Sequence, residues 1–502
     1  MRLSGNEEGL ASAATMAGPG PDPDERSLRA ARLPLGRKIG YGAGQLVELT
    51  VESMLNVFML FYATVVCGLP GGLAGLAIGA GIVVDAIMNP LIGSLSDGWR
   101  SRFGSRVPFM AMALAPIILT FNLIFSLPSG LEQTALFLWL MLLSVSLRIS
   151  SSMFTVPYQA LGAELTDDYN ERSSVAAWRW GIGILGTVAV IVLSYGVFFA
   201  GPGGAAQRDA YLPLTLSLSA LLFAGGLIAI RQGLTAPKSQ RKVEAPTRAI
   251  HLRLFGEIGE MFRNRTFRIL FVAALLFNIG AGVHLALGLH VATFFWQLSS
   301  TQIQWLGIAS VTGLMLGAPL AGPLYKHMEK RAMLVVSILA MVGCNALPAS
   351  LKLLGLLQLT GDALIGFLAV VAFVGGVMMA LSIIAFLSII PDAADEHEHL
   401  FGSQRQGLFF AGWSFAKQSA TGAGILFAGL VLQIINFSAQ PEQGAAVEIP
   451  ERTLAWLALA HGPGAGLFAI VGIALMLLYR IDSRSHARII DALTERRGAG
   501  GG

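Results

Sequence analysis

Charge is scarce in this sequence: Asp, Glu, Lys and Arg make up 13% of its 502 residues, against roughly 25% in soluble chains. A soluble protein of this length would expose far more polar surface. Cysteine is nearly absent as well. Cys67 and Cys344 are the only two, so no disulfide framework is expected and both read as packing residues. Nucleophile elbows, phosphate loops and zinc-protease motifs are missing; His284 and His290 lack the i, i+4 spacing of a zinc pair. No enzyme, metal or cofactor is expected. The polar run over residues 1–36 has no charged segment followed by an apolar one. It reads as a flexible cytoplasmic tail rather than a cleavable signal.

What the chain has in quantity is apolar residues, 54% of the total, gathered in long blocks. About 20 such residues cross the hydrocarbon core as a helix. In lipid only helices and closed barrels satisfy every backbone group, and these runs are too continuous for alternating barrel strands. The expected class is an all-α, multi-pass membrane protein. Spans are expected over 40–63, 71–95, 107–127, 133–158, 174–199 and 212–231. A second set is expected over 267–297, 303–325, 332–350, 361–390, 405–436 and 453–480. The intended organisation is a six-helix half (37–231), a basic linker (232–266), a second six-helix half (267–482) and a tail (483–502).

Basic residues fall in alternate loops: Arg37 and Lys38; Arg100, Arg102 and Arg106; Lys238, Arg241, Lys242, Arg248, Arg253, Arg263 and Arg265; Lys326, Lys330 and Arg331; Arg480, Arg484 and Arg488. The other loops hold little beyond Arg208, Lys352 and Arg452. The positive-inside rule places both termini and the linker in the cytoplasm, which requires an even helix count. The net charge of +4 then reflects topology at an anionic lipid surface, and no nucleic-acid partner is expected.

Charge inside a span is costly and marks a cavity, a partner or an ion path. The first helix carries Gln45, Glu48, Glu52 and Asn56 on one face. The second carries Asp85 and Asn89, one turn apart, with Pro90 following. Their oxygens suit a small hard cation; a buried carboxylate can instead take a proton, or pair with a cationic side chain. The fourth carries Arg148, Ser152, Thr155 and Gln159 on one face, and its arginine needs a carboxylate from helix 1 or 2. Helix 11 carries Ser414, Lys417 and Thr421, with Asp85 the expected partner of Lys417 and snorkelling the alternative. Arg179, between Trp178 and Trp180, either reaches the cavity or anchors at the interface. The run Asp395-Glu396-His397-Glu398-His399 is expected in a short cytoplasmic loop, solvated or pairing at a gate.

Gly93-Ser94-Leu95-Ser96-Asp97, followed by Arg100, Arg102, Gly104 and Arg106, resembles the helix 2–3 loop of the major facilitator superfamily. Four more segments resemble its glycoside–pentoside–hexuronide:cation symporter (melibiose permease-like) branch. They are Tyr41-Gly42-Ala43-Gly44, Asp85 to Pro90, Pro157 to Leu165 with Glu171-Arg172, and Pro391 to Asp395 with Gly407 to Phe409 and Trp413 to Lys417. The likeness spans roughly residues 37 to 480. It implies a monomeric, alternating-access symporter of a sugar, glycoside or sugar acid, in a bacterial inner membrane, coupled to sodium or a proton. It places the coupling site at Asp85, Asn89, Ser152 and Lys417, with Asn89 where the family has a second carboxylate. It places substrate contacts at Glu48, Glu52, Arg148, Thr155, Gln159 and Arg179, although the family's sugar-binding acids fall at Leu49 and Thr155 and its tryptophan at Gln159. A cytoplasmic gate is implied at Asp97, Arg102, Arg106, Asp392 and Asp395. The same branch also resembles animal lysophospholipid transporters, which leaves an amphipathic substrate as the alternative.

Overall fold

Apolar runs of membrane-crossing length fold as helices from end to end in the computed structural model, which describes residues 33–99, 101–166, 168–235, 259, 261–402, 406–438, 449–479 and 482–499. Arg100, Lys238, Arg241, Lys242, Arg248, Arg253, Arg480 and the tail before residue 33 lie outside the described residues. Helix α1 comprises Leu35–Gly42 and Gly44–Met54, then π-helical turns at Leu55–Met59 and Tyr62–Val66. There follow α2 (Gly71–Gly98), α3 (Val107–Ile124), α4 (Gln133–Glu164), α5 (Tyr169–Leu193, with a π turn at Ser194–Phe198) and α6 (Tyr211–Thr235). The second set is α7 (Arg265–His290, with a π turn at Val291–Phe295), α8 (Ser300–Leu324), α9 (Lys330–Leu353), α10 (Gly361–Phe401), α11 (Gln406–Ile434) and α12 (Glu451–Leu459 through Ala465–Met476). Eleven helices among the described residues, α2 to α12, are long and apolar enough to cross a membrane. With α1 they make two sets of six.

Two expectations are corrected by the helices themselves. Asp395 to His399 lie inside α10 rather than in a loop; Pro391 does not stop the helix, which ends at Gly402 with φ +75°. Proline is tolerated in membrane helices, where neighbouring groups satisfy the freed carbonyl. Residues 483–499 also form a helix, α13 (Ser483–Ala499), which packs on α10.

One core cluster runs from the first half into the second, from Tyr41 and Phe61 to Leu287 and Ala465, and another lies within the second half; the halves meet along α2–α11, α5–α8 and α1–α7. Small residues let the first pair approach closely. A Cβ at Gly429 would lie 2.3 Å from the Gly71 carbonyl oxygen, and one at Gly75 would lie 3.2 Å from the Leu426 backbone. Close approach through small residues is how membrane helices gain contact without a hydrophobic driving force. Thr64 of α1 and His290 of α7 are 2.9 Å apart, and a Cβ at Gly196 would meet Gln304. All these contacts lie at the end that carries the α1–α2 turn, here called the distal end. At the opposite, terminal end, a Cβ at Gly98 or Gly407 would meet nothing. These close contacts between the halves therefore gather at the distal end.

Within the first half, α1 and α4 are locked by a reciprocal clasp. The Tyr41 and Tyr158 rings stack at 4.7 Å. Tyr158 Oη donates to the Tyr41 carbonyl at 2.8 Å, and Tyr41 Oη to the Tyr158 carbonyl at 3.2 Å. Gly44 leaves room for it: a Cβ there would be 2.4 Å from the Tyr158 ring and 2.9 Å from Ala229. Gly44→Leu should therefore lower the thermal unfolding midpoint of the purified protein, since overpacking costs about 1–3 kcal/mol. An unchanged midpoint would contradict this packing role.

Candidate functional site

Gly81 lets α2 lie against Ser144 of α4, because a Cβ there would be 2.3 Å from the serine oxygen. One turn further along α2, Asp85 meets the polar face of α4. Ser152 Oγ donates to Asp85 Oδ1, and Arg148 Nη1 stands 3.9 Å from Asp85 Oδ2. Asp85 is only 5% exposed. The i, i+4 spacing of Arg148 and Ser152 thus places both beside one carboxylate, that of helix 2 rather than helix 1. A buried carboxylate calls for such a charge partner and hydrogen-bond donor.

Helix 11 reaches the same carboxylate with a different residue from the expected one. Gln418 Nε2 donates to Asp85 Oδ2, while its Oε1 accepts from Asn89 Nδ2 at 3.1 Å. Lys417 points elsewhere. It is exposed, and its ammonium group makes no ion pair or hydrogen bond among the described residues. Successive side chains on a helix point about 100° apart, so only one of the two can face α2. The signal lay in the small residues: Gln418 and Gly422 share a face, and a Cβ at Gly422 would be 2.6 Å from Ile82 of α2.

The polar face of α1 continues the cluster. Gln159 of α4 donates to Glu48 at 3.4 Å. Arg179 of α5 acts electrostatically on Glu48 and Tyr41, and Glu52 acts on both Glu48 and Asp85. Arg179, Glu48, Glu52, Asp85 and Arg148 thus form one electrostatic group. Arg179 also lies 5.9 Å from the Trp180 ring, and its Nε is buried without a hydrogen-bond partner. Gln45 is buried with an unpartnered Oε1. Thr155 and Asn56 are half-buried beside the same faces.

At the terminal end the residues implied at a gate form two groups. In the first half, Arg106 of the α2–α3 loop pairs with Asp97 and with Glu164 of α4, at 3.1 Å for the latter, and donates to Ser96 at 2.8 Å. Arg102 lies 4.6 Å from the Phe103 ring centre. In the second half, Lys330 grips Asp392 at 2.8 Å, and His486 of α13 stands 3.1 Å from Asp395 and 3.7 Å from Asp392. Glu164, Lys330 and His486 were not anticipated. Each lies just beyond or at the end of an apolar run, where sequence periodicity carries no facing information.

Two sets of six membrane-length helices, with charged side chains of α1, α2, α4 and α5 gathered around the buried Asp85, define a membrane transporter rather than an enzyme. The chain belongs to the MFS/sugar transport protein family, whose model matches residues 40–483. It is 25% identical to an uncharacterized symporter of Synechocystis sp., sll1374, covering 94% of this chain and 99% of that protein. It is 23% identical to the mouse sodium-dependent lysophosphatidylcholine symporter 1, over 94% of this chain and 90% of that one. Among solved structures, a bacterial homolog of the human lysosomal transporter Spinster, in an inward-facing and unoccupied conformation, superposes with a TM-score of 0.60 at 14% identity. It covers 91% of this chain and 97% of the other. That likeness carries the fold, and the protein is a multi-pass integral membrane protein of the major facilitator superfamily.

Proposed function

We propose that the protein is a secondary active symporter that moves a small polar solute, a sugar, glycoside or sugar acid, together with one monovalent cation bound at Asp85. The observation that carries this reading is the charge balance of this group: three carboxylates, Glu48, Glu52 and Asp85, stand with two guanidiniums, Arg148 and Arg179, a formal charge of −1. A bound sodium ion or proton neutralises that excess, and a buried site gains most from being neutral. Gln159, Glu48 and Arg179 supply a donor, an acceptor and a planar cation for sugar hydroxyls or a sugar carboxylate. Arg179 suits the latter because a guanidinium binds carboxylate in two-point fashion. The basic loops put the terminal end in the cytoplasm. Each chain holds a complete pathway and acts as a monomer.

A lysophospholipid is the second reading, supported by the end-to-end match to the lysophosphatidylcholine symporter. Thermal unfolding of the purified protein against disaccharides, hexuronates and lysophosphatidylcholine separates the two. A saturable upward shift with a sugar or sugar acid is expected. A shift with the lysolipid alone would replace the first reading by the second.

A further inference from the structure

We infer that Gln418, rather than Lys417, is the helix 11 ligand of the coupling cation, and that its side-chain amide reverses when a sodium-like ion binds. The inference rests on the proposed coupling at Asp85 and names a further member of that site. As found, two amides run as a relay into the carboxylate. Asn89 Nδ2 donates to Gln418 Oε1 at 3.1 Å, and Gln418 Nε2 donates to Asp85 Oδ2. An N–H aimed at the carboxylate blocks a cation, since it presents positive charge where the ion must sit. A primary amide, however, carries an acceptor and two donors on the same planar frame. Rotating the Gln418 amide by half a turn brings Oε1 to Asp85 and Nε2 to Asn89.

The partner makes the reversal inexpensive. Asn89 is itself an amide, so its own rotation offers Oδ1 to Gln418 Nε2, and the bond between the two helices survives with its direction exchanged. A carboxylate at position 89 could accept from Gln418 but never donate to it. The asparagine is thus what lets the relay run both ways. After reversal, Asp85 Oδ2, Gln418 Oε1 and the Ser152 hydroxyl converge. Oxygen donors of this kind suit a small hard cation, with water completing its shell. Arg148, 3.9 Å from the same carboxylate oxygen, holds the charge of Asp85 when the ion is absent.

The arrangement also explains how the ion could be felt by both halves. Asp85 and Asn89 lie on α2, and Gln418 lies on α11. A cation held between them bonds α2 of one half to α11 of the other directly. The coupling ion thereby favours one relative position of the halves. Lys417, exposed and one residue away, does not make that connection.

The test compares thermal unfolding of the full-length protein in sodium or lithium chloride against choline chloride at equal ionic strength. Wild type is expected to be stabilised by sodium or lithium with a saturable midpoint. Gln418→Leu should raise that midpoint tenfold or more, and Asn89→Leu should raise it as well. Gln418→Glu, which keeps an oxygen and cannot donate, should hold the midpoint or lower it. A wild-type midpoint in Gln418→Leu, alongside a lost response in Asp85→Asn, would overturn the role of Gln418 while leaving Asp85 as the coupling residue. A weakened response in Gln418→Glu would also overturn it, and this arm stands if the leucine variant fails to fold. No response of wild type to sodium or lithium would overturn the sodium-like ligand set and leave a proton at Asp85. Uptake indifferent to every cation gradient would instead remove the coupling reading itself.

Discussion

Replacing Asp85 with alanine should lower gradient-driven uptake about 100-fold or more, the largest effect expected of any single side chain. The carboxylate receives bonds from Ser152 and Gln418 and faces Arg148. Removing it leaves a guanidinium with 13% side-chain exposure and no counter-charge. Breaking a buried pair by deleting one partner costs about 3–5 kcal/mol, and about 1.4 kcal/mol is a factor of ten in an equilibrium. Part of this loss will fall on stability. Asp85→Asn separates the two effects, because it keeps the shape and one acceptor oxygen while removing the charge. It should fold better than Asp85→Ala and be equally unable to drive accumulation. Uptake rates in proteoliposomes, normalised to correctly folded protein, check this. Full activity in Asp85→Asn would remove the residue from coupling.

A leucine at Gly429 should abolish transport for a different reason. With a Cβ 2.3 Å from the Gly71 carbonyl oxygen, α2 and α11 cannot reach their present approach, so the distal end stays open. The binding residues are untouched, and the fold of each half should survive. Cys67 reports the change, since it is half-buried at the distal end beside the α1–α2 turn. In a Cys344→Ser background, a membrane-impermeant maleimide should label Cys67 slowly in otherwise wild-type protein and faster when Gly429→Leu is added. Equal labelling rates with retained uptake would show that the α2–α11 contact is not the distal seal.

How much of this was legible in the sequence follows from the physics of each feature. Membrane spans announce themselves, because twenty apolar residues have few alternative uses. The Asp85–Ser152–Arg148 group was legible in part: charges in lipid demand partners, which left Arg148 a carboxylate on helix 1 or 2, and the family resemblance set Ser152 beside Asp85. Gln418 was hidden because lysine draws attention as a charge. Facing, however, is decided by packing, and the small residues of α11 turn Gln418 toward α2. The Tyr41–Gly44 motif was readable only as a family mark; the clasp with Tyr158 shows that it is a packing device. Pro391 looked like a helix end, and the rule holds in water better than within a bundle of helices. Helix α13 is polar, and nothing in its composition distinguished a docked helix from a tail. Its His486 contact with Asp395 depends on the position of α10, which no local pattern encodes.

The central claim is that cation entry through Asp85 drives a solute uphill. Proteoliposomes loaded with the solute identified by the unfolding screen, at equal concentration inside and out, test it most directly. An inward sodium or proton gradient is then imposed, with an ionophore control. The account predicts accumulation inside above the external concentration in wild type, and none in Asp85→Asn or with the ionophore. Exchange of labelled solute at wild-type rates, with no accumulation under either gradient, would contradict it.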